Sequence, residues 1–340
     1  MTDASASSPH APAEPGGPLD VVAVGSALVD VLTMAGDEDL ARFDMVKGSM
    51  TLVDLARAAA VYEAMGPAVE VSGGSAANTA VGVAALGGQV GYVGKVAADE
   101  LGEVFLHDIG AVGVAMGRTT PATPSDDPAA DRATGRCLVF VTGDGERTMA
   151  THLGVASTLG PEDLDEALWD LEPAKAAMRR AIEVAHAGDA LVALSVSDPF
   201  CVQRHQREFL ELLHGDVDVL FANEDETTLL FGASDFDAAL GAVEETGLLA
   251  ALTRGAKGSV VVSASGPLTI PADPVAAVLD TTGAGDLYAA GFLYGLTHGQ
   301  DPEHCARLGG LCAAEVISHV GARPQADLRA LAREAGLLED

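Results

Sequence analysis

Val275-Ala276-Ala277-Val278-Leu279-Asp280-Thr281-Thr282-Gly283-Ala284-Gly285-Asp286-Leu287-Tyr288-Ala289-Ala290-Gly291-Phe292-Leu293 decides how this chain is read. The apolar run Val275 to Leu279 is expected as a strand and Leu287 to Leu293 as a helix, which puts Asp280–Asp286 at a strand-to-helix junction. Gly283 and Gly285 let consecutive backbone N–H groups converge on one point. The helix start adds amides without a partner in the helix, together with the positive end of its dipole. The product is an anion site with a carboxylate, Asp286, at its edge. A phosphate cradle beside a fixed base is what phosphoryl transfer to a hydroxyl requires. The plainer alternative for the same residues is a tight turn with an N-cap aspartate.

Working outward, strand-like runs at 190–196, 217–222, 248–253 and 259–263 are interleaved with helical runs at 202–213 and about 224–243. Such alternation predicts a parallel sheet covered by helices on both faces. Beyond the opening stretch, Asp301-Pro302 caps a helix expected to run toward Val320 and to stop at Gly321. Near the other end, Val21-Val22-Ala23-Val24-Gly25 reads as a buried first strand, and Asp30 falls just past it, at the sheet edge where ligands bind in open α/β folds. Gly73-Gly74 opens a helix of small residues that runs through Ala80 into Val81 to Gly88, allowing close backbone approach. Met50 to Val53 and Gln89 to Gly94 read as strands, and a helix is expected from Asp99 to near Gly110. Two runs, 136–141 and 147–149, flank Thr142-Gly143-Asp144-Gly145-Glu146, a hairpin signal that predicts a small sheet outside the main one, a lid. Residues 118–135 read as an exposed loop, and 1–18 as a disordered tail without the basic start or apolar core of a signal peptide.

The chain has 340 residues, 48% of them apolar, enough for one large domain with a small appendage. Its net charge of −31 excludes nucleic acid and anionic membrane as expected partners. No apolar run reaches membrane-spanning length. Cys137, Cys201, Cys305 and Cys312 form no C-x-x-C pair, and the last two share a helix spacing rather than a zinc-site spacing. Reduced thiols and a cytoplasmic location are the expectation, with a monomeric or homodimeric state.

The string Asp280-Thr281-Thr282-Gly283-Ala284-Gly285-Asp286 resembles, at every defined position, the D-T-x-G-A-G-D signature of the ribokinase/PfkB family of carbohydrate and nucleoside kinases. Other stretches agree with it in the family's order. Gly73-Gly74 through Asn78, with Gly91 to Val96 after it, looks like the first family signature. Asn223-x-x-Glu226 is similar to the N-x-x-E motif, and Thr253-Arg254-Gly255-Ala256-Lys257-Gly258 to a T-x-G-x-x-G nucleotide loop. The likeness covers nearly all of residues 20–325 and is nearest to a bacterial adenosine kinase-like branch.

That resemblance implies an α/β, ribokinase-like three-layer fold, a mostly parallel sheet between helices with a small β lid. It implies a kinase domain at 19–335, the lid drawn from roughly 31–72 and 114–152. Asp286 would be the general base, and Gly283, Ala284 and Gly285 would offer amides to the transferring phosphoryl group. Asp30, Gly73, Gly74 and Asn78 would hold the hydroxyls of the acceptor sugar or ribose. Asn223, Glu226, Thr253, Gly255 and Gly258 would line the site for ATP, with Glu226 reaching Mg²⁺ through water. Asp280 and Thr282 match positions that shape a monovalent-cation site, K⁺, in several members; strand-end capping is the equal alternative. Arg136 and Arg147, on the expected hairpin, are left outside the site.

In one respect the chain departs from the pattern. The family expects a strand before Trp169-Asp170, and no strand-like run lies between Gly160 and Ala190. A lost central strand would strand backbone hydrogen-bonding groups in the sheet. The implied activity is ATP-dependent phosphorylation of a primary hydroxyl, adenosine kinase-like first, with a fructose- or ribose-type sugar kinase as alternative. A non-catalytic ligand-binding protein on this fold is the reading the missing strand favours.

Overall fold

The computed structural model describes residues 18–116, 133–144, 146–160, 173–196 and 199–339. The N-terminal tail, most of the 118–135 loop and the stretch around Trp169 lie outside the described residues.

The body is a layered α/β unit. Its larger sheet contains the parallel strands β9 (Ala193–Ser195), β10 (Val219–Asn223) and β11 (Leu249–Thr253), extended antiparallel by β12 (Ser259–Ser263) and β13 (Gly266–Ile270). These strands are apolar on both faces because both faces are covered. Leu220, Ala222, Ala250, Leu252, Val260 and Val262 pack under α6 (Pro199–Leu213), α7 (Glu224–Leu230) and α8 (Phe236–Thr246). The alternate residues Val219, Phe221, Ala251 and Val261 meet Tyr288, Ala289 and Phe292 of α9 (Ala284–Thr297) and Cys305 and Ala306 of α10 (Pro302–Val316). A period of two along each strand thus separates the layers.

A three-stranded parallel sheet joins β1 (Val21–Val24), β5 (Val90–Val93) and β6 (Ala115–Met116). It packs against α3 (Ser75–Ala85) and α4 (Glu100–Ala111), and Ala290 of α9 enters the same apolar cluster, so α9 touches both sheets. The expected strand between Gly160 and Ala190 falls partly on residues outside the described set; from Pro173 to Ala187 the chain is helix α5. Among the described residues β1 and β9 each pair on one side only.

The expected hairpin is present and belongs to a five-stranded sheet ordered β3 (Met50–Leu52), β8 (Arg147–His152), β7 (Gly135–Val141), β2 (Leu28–Met34), β4 (Val69–Gly73). Its register puts Asp30, Leu32, Val71, Cys137, Val139, Met149 and Arg147 on one face. Arg136 belongs to the other face, where it lies over the Tyr62 ring.

Four expectations need correction. Residues 275–279 are not a strand: Leu279 N–H donates to Ile317 O, and Val278 and Leu279 are exposed, so this backbone is satisfied outside any sheet. The helix after Asp301 ends at Val316 rather than near Val320, and Gly321 gives its N–H to Asp280 instead. The 224–243 helix is two helices, divided where Gly232 turns left-handed (φ 61°) and Asp235 caps the second. Strand β13 was not expected because Pro267 interrupts its pattern; a proline is tolerated there on an edge strand.

Candidate active site

The turn that opens the sequence reading is built around Gly283, which adopts φ 76° as the N-cap of α9. A Cβ at Gly283 would stand 2.8 Å from the Cβ of Ala322, so glycine is required by both conformation and space. Gly285 differs: a Cβ there would meet nothing within 4 Å, and the residue faces open space. Of the amides expected to face a phosphoryl group, Ala284 N donates instead to Thr281 O at 3.3 Å, whereas those of Gly285 and of Asp286, in the first turn of the helix, have no place in its ladder.

Asp286 follows, its carboxylate held from a distant part of the chain. Oδ1 accepts from Ser75 Oγ at 2.6 Å and Oδ2 from Asn78 Nδ2 at 2.8 Å, while Thr79 Oγ1 donates to the Asp286 carbonyl at 3.2 Å. Burial pushes the Asp286 carboxyl above the usual range, against the opposing pull of those two hydrogen bonds and of Arg323 and Arg147. Ser75 escaped the sequence reading; its only signal was its place in Gly73-Gly74-Ser75-Ala76-Ala77-Asn78. The buried Asn78 Oδ1 has no hydrogen-bond partner among the described residues.

Asp30 projects toward the same place from β2. Its carboxyl is pushed up to about 7, chiefly by burial and further by Asp286, with Arg323 and Arg147 opposing. Gly73 pairs with Leu28 beside it, and a Cβ on Gly73 would fall 2.3 Å from the Asp30 carboxyl. Gly74, at φ 94°, would drive a Cβ to within 2.3 Å of Ser26 O. Both glycines are therefore dictated by how closely the end of β4 and the start of α3 pass Asp30 and Ser26.

Asp280 is buried and braced. Its Oδ1 accepts from Thr282 N at 2.9 Å and Thr282 Oγ1 at 2.5 Å, and Oδ2 accepts from Gly321 N at 2.8 Å. Arg147 Nε approaches Oδ1 at 3.3 Å, and its Nη2 donates to Thr281 Oγ1. The hairpin arginine set aside on sequence grounds thus reaches the catalytic turn, while Arg136, on the opposite face, does not.

A second group of expected residues lies on the C-terminal ends of β10 and β11. Asn223 pairs with Thr253, and Thr253 with Ser259, in one row across the sheet. Tyr288, two residues after Asp286, donates to Ser259 Oγ at 2.9 Å, which sets the start of α9 at this end of the sheet. Asn223 and Glu226 form a reciprocal capping box: Asn223 Oδ1 accepts from Glu226 N and Glu226 Oε2 from Asn223 N, both at 2.8 Å. Thr253 to Ser259 is a hairpin turn in which Gly258 (φ 87°) would clash with Ile270 O if it carried a Cβ, whereas Gly255 (φ 55°) borders open space. Glu224 ties Arg254 (3.1 Å) and Lys257 (3.0 Å) beside this turn, and Arg254 lies over the Phe236 ring.

No group of three or more His, Cys, Asp or Glu side chains able to hold a metal occurs among the described residues. A hydrated Mg²⁺ carried by nucleotide phosphates does not need such a cage.

The profile of the pfkB family carbohydrate kinases matches residues 51–328. The solved structure of adenosine kinase from Sinorhizobium meliloti is 45% identical with a TM-score of 0.85, covering 93% of this chain and 99% of that one. A probable sugar kinase protein from Rhizobium etli CFN 42 is 41% identical with a TM-score of 0.86, covering 94% and 99%. Adenosine kinase of Saccharomyces cerevisiae is 31% identical over 338 residues, 88% of this chain and 95% of that protein.

Proposed function

The chain belongs to the pfkB family of carbohydrate kinases, an ATP-dependent phosphotransferase of nucleoside or sugar hydroxyls, and from that premise we propose that its acceptor is the primary hydroxyl of a ribonucleoside, adenosine first. The observation that carries the reading is the meeting of Asp286, Ser75, Asn78 and Asp30 in front of the amides that open α9. The proposed domain is 19–335, with the five-stranded sheet as its lid.

In this reading Asp286 accepts the proton of the attacking hydroxyl, oriented by Ser75 and Asn78 so that one carboxylate lone pair faces the acceptor. Asn78 Oδ1, which has no donor among the described residues, receives one from a ribose hydroxyl, and Asp30 takes the neighbouring hydroxyl. The amides of Gly285 and Asp286 stabilise the charge that gathers on the transferring phosphoryl group, and Arg147 leaves Asp280 to assist them. Asn223, Thr253 and Gly255 receive the nucleotide. Mg²⁺ would neutralise phosphate charge, with Glu226 the residue to face it through water. Asp280 already accepts from three donors of Thr282 and Gly321, so K⁺ is not assigned to it.

A nucleoside is favoured over a bare sugar by the apolar side chains beside Asp30, since Leu32, Val71, Cys137, Val139 and Met149 form one cluster on that face. An apolar floor next to a carboxylate suits a ring-bearing diol better than a polyhydroxylated ligand. A cytoplasmic setting accords with the buried thiols of Cys137, Cys305 and Cys312, none of which forms a disulfide. The test is ATP-coupled turnover with nucleosides, pentoses and hexoses, the product identified by mass. A 5′-monophosphate from adenosine at the highest kcat/KM is expected. Higher kcat/KM with fructose or ribose would overturn the nucleoside assignment, and binding without turnover would favour a non-catalytic protein.

A further inference from the structure

Arg323 belongs to none of the motifs discussed above. It lies between α10 and α11 (Leu328–Glu334), yet its side chain crosses to the acceptor side of the site. Nη2 donates to Ser72 O and, at 2.8 Å, to Ser72 Oγ; Nη1 donates to Ala77 O at 3.3 Å. Asp108 Oδ2 accepts from Ser72 N at 2.9 Å, so the backbone just before Gly73-Gly74 is gripped from α4 and from the segment between α10 and α11. Ser72 and Ala77 flank Ser75, and Ala77 immediately precedes Asn78; Ser75 and Asn78 are the two residues that meet the Asp286 carboxylate.

The start of α3 has little of its own to fix it. Gly74 is its N-cap, without a side chain, and its first turn contains no acidic residue. A cation beside a helix N-terminus is opposed by the helix dipole. Arg323 is placed there nonetheless, within electrostatic reach of the Asp30, Asp286 and Asp108 carboxylates and of the Tyr92 phenol. The charged and polar groups facing Asp286 are Ser75 and Asn78 from α3, Arg147 from β8, Asp30 from β2 and Arg323. Two carboxylates with this much burial need a nearby cation if both are to ionise.

We propose that Arg323 is a positioning residue: by holding Ser72 and Ala77 it fixes where Ser75 and Asn78 meet Asp286, and it supplies the positive charge that Asp30 and Asp286 share. The role in the reaction rests on Asp286 being the base and Asp30 an acceptor contact.

The experiment compares R323Q and R323K in the full chain, with two readouts. Amide hydrogen exchange over residues 72–80 requires no turnover and reports the grip on α3. The kcat–pH profile, with separate KM values for ATP and adenosine, reports the effect on the base. For R323Q, exchange over 72–80 should quicken, kcat should fall about 10- to 100-fold and the adenosine KM should rise while the ATP KM holds. Its acid limb should move to higher pH, because losing a positive neighbour disfavours the Asp286 carboxylate. R323K should return the acid limb, since the charge is restored, but not the exchange rate, since an ammonium lacks the fork that spans Ser72 and Ala77. Wild-type exchange over 72–80, or an unmoved acid limb with only a lowered Tm, overturns the proposal. If R323Q does not fold, R323K decides: unchanged exchange overturns the grip and quickened exchange supports it. Should D286N retain turnover, the assignment of the base fails separately, and exchange in the two Arg323 variants still decides whether Arg323 holds α3.

Discussion

Asp286 and Asp30 are two carboxylates that burial pushes upward, Asp286 against the opposing pull of a hydroxyl and a carboxamide, and Asp30 to about 7. The folded state therefore binds the Asp30 proton more tightly than the unfolded chain does, where the ordinary value is 3.8. Stability from this group is present at low pH and is lost as pH rises through about 7. D30N is expected to be more stable than wild type near pH 8, by a few kcal/mol at most, and to gain nothing near pH 4, measured by denaturant unfolding at both. It should also lose acceptor binding. Arg147 is tested at the same scale: R147Q should lower kcat by about 10²- to 10³-fold with ATP affinity retained, if the guanidinium serves the transferred group. A change confined to Tm would instead make it a brace for Asp280. Asp30, Asn78 and Asp286 were legible in the sequence because each sits in a motif. Ser75, Arg147 and Arg323 were not, since their partners lie 211, 134 and up to 251 residues away.

Among the elements, the α9 turn was legible at Gly283, was not constrained at Gly285, and was read incorrectly in its lead-in. Glycine at 283 follows from a positive φ, a local property that a sequence pattern can carry. The missing strand at 275–279 does not: apolar residues there suggested a ladder, but the chain instead pairs with the end of α10 and leaves Val278 and Leu279 exposed. G73A is expected to place a methyl against the Asp30 carboxyl and abolish acceptor binding while the fold survives, read by calorimetry alongside circular dichroism. G283A should cost more than about 1 kcal/mol of stability, from strain at φ 76° and contact with Ala322, read as a lowered Tm.

Across the whole molecule, the alternation of β and α elements gave a three-layer body, and the hairpin signal gave the outer sheet. The partition into layers is explicit in β10, where Leu220 and Ala222 face α6 to α8 while Val219 and Phe221 face α9 and α10. Pairing order was not legible, because it depends on which strands the helices bring together. Among the described residues β1 and β9 are edge strands with exposed apolar residues at or beside them, Val22 at 55% and Leu191 at 62%. A charge on such an edge blocks strand-to-strand association, so V22K should lower light scattering on concentration without lowering Tm. A lowered Tm would mean the edge is covered in solution. Asp286 remains the point where the outer sheet, α3 and α9 converge, and the most direct test is single-turnover transfer from ATP to adenosine by D286N. The account predicts transfer slowed by about 10²- to 10⁴-fold with ATP binding unchanged; transfer at the wild-type rate would contradict it.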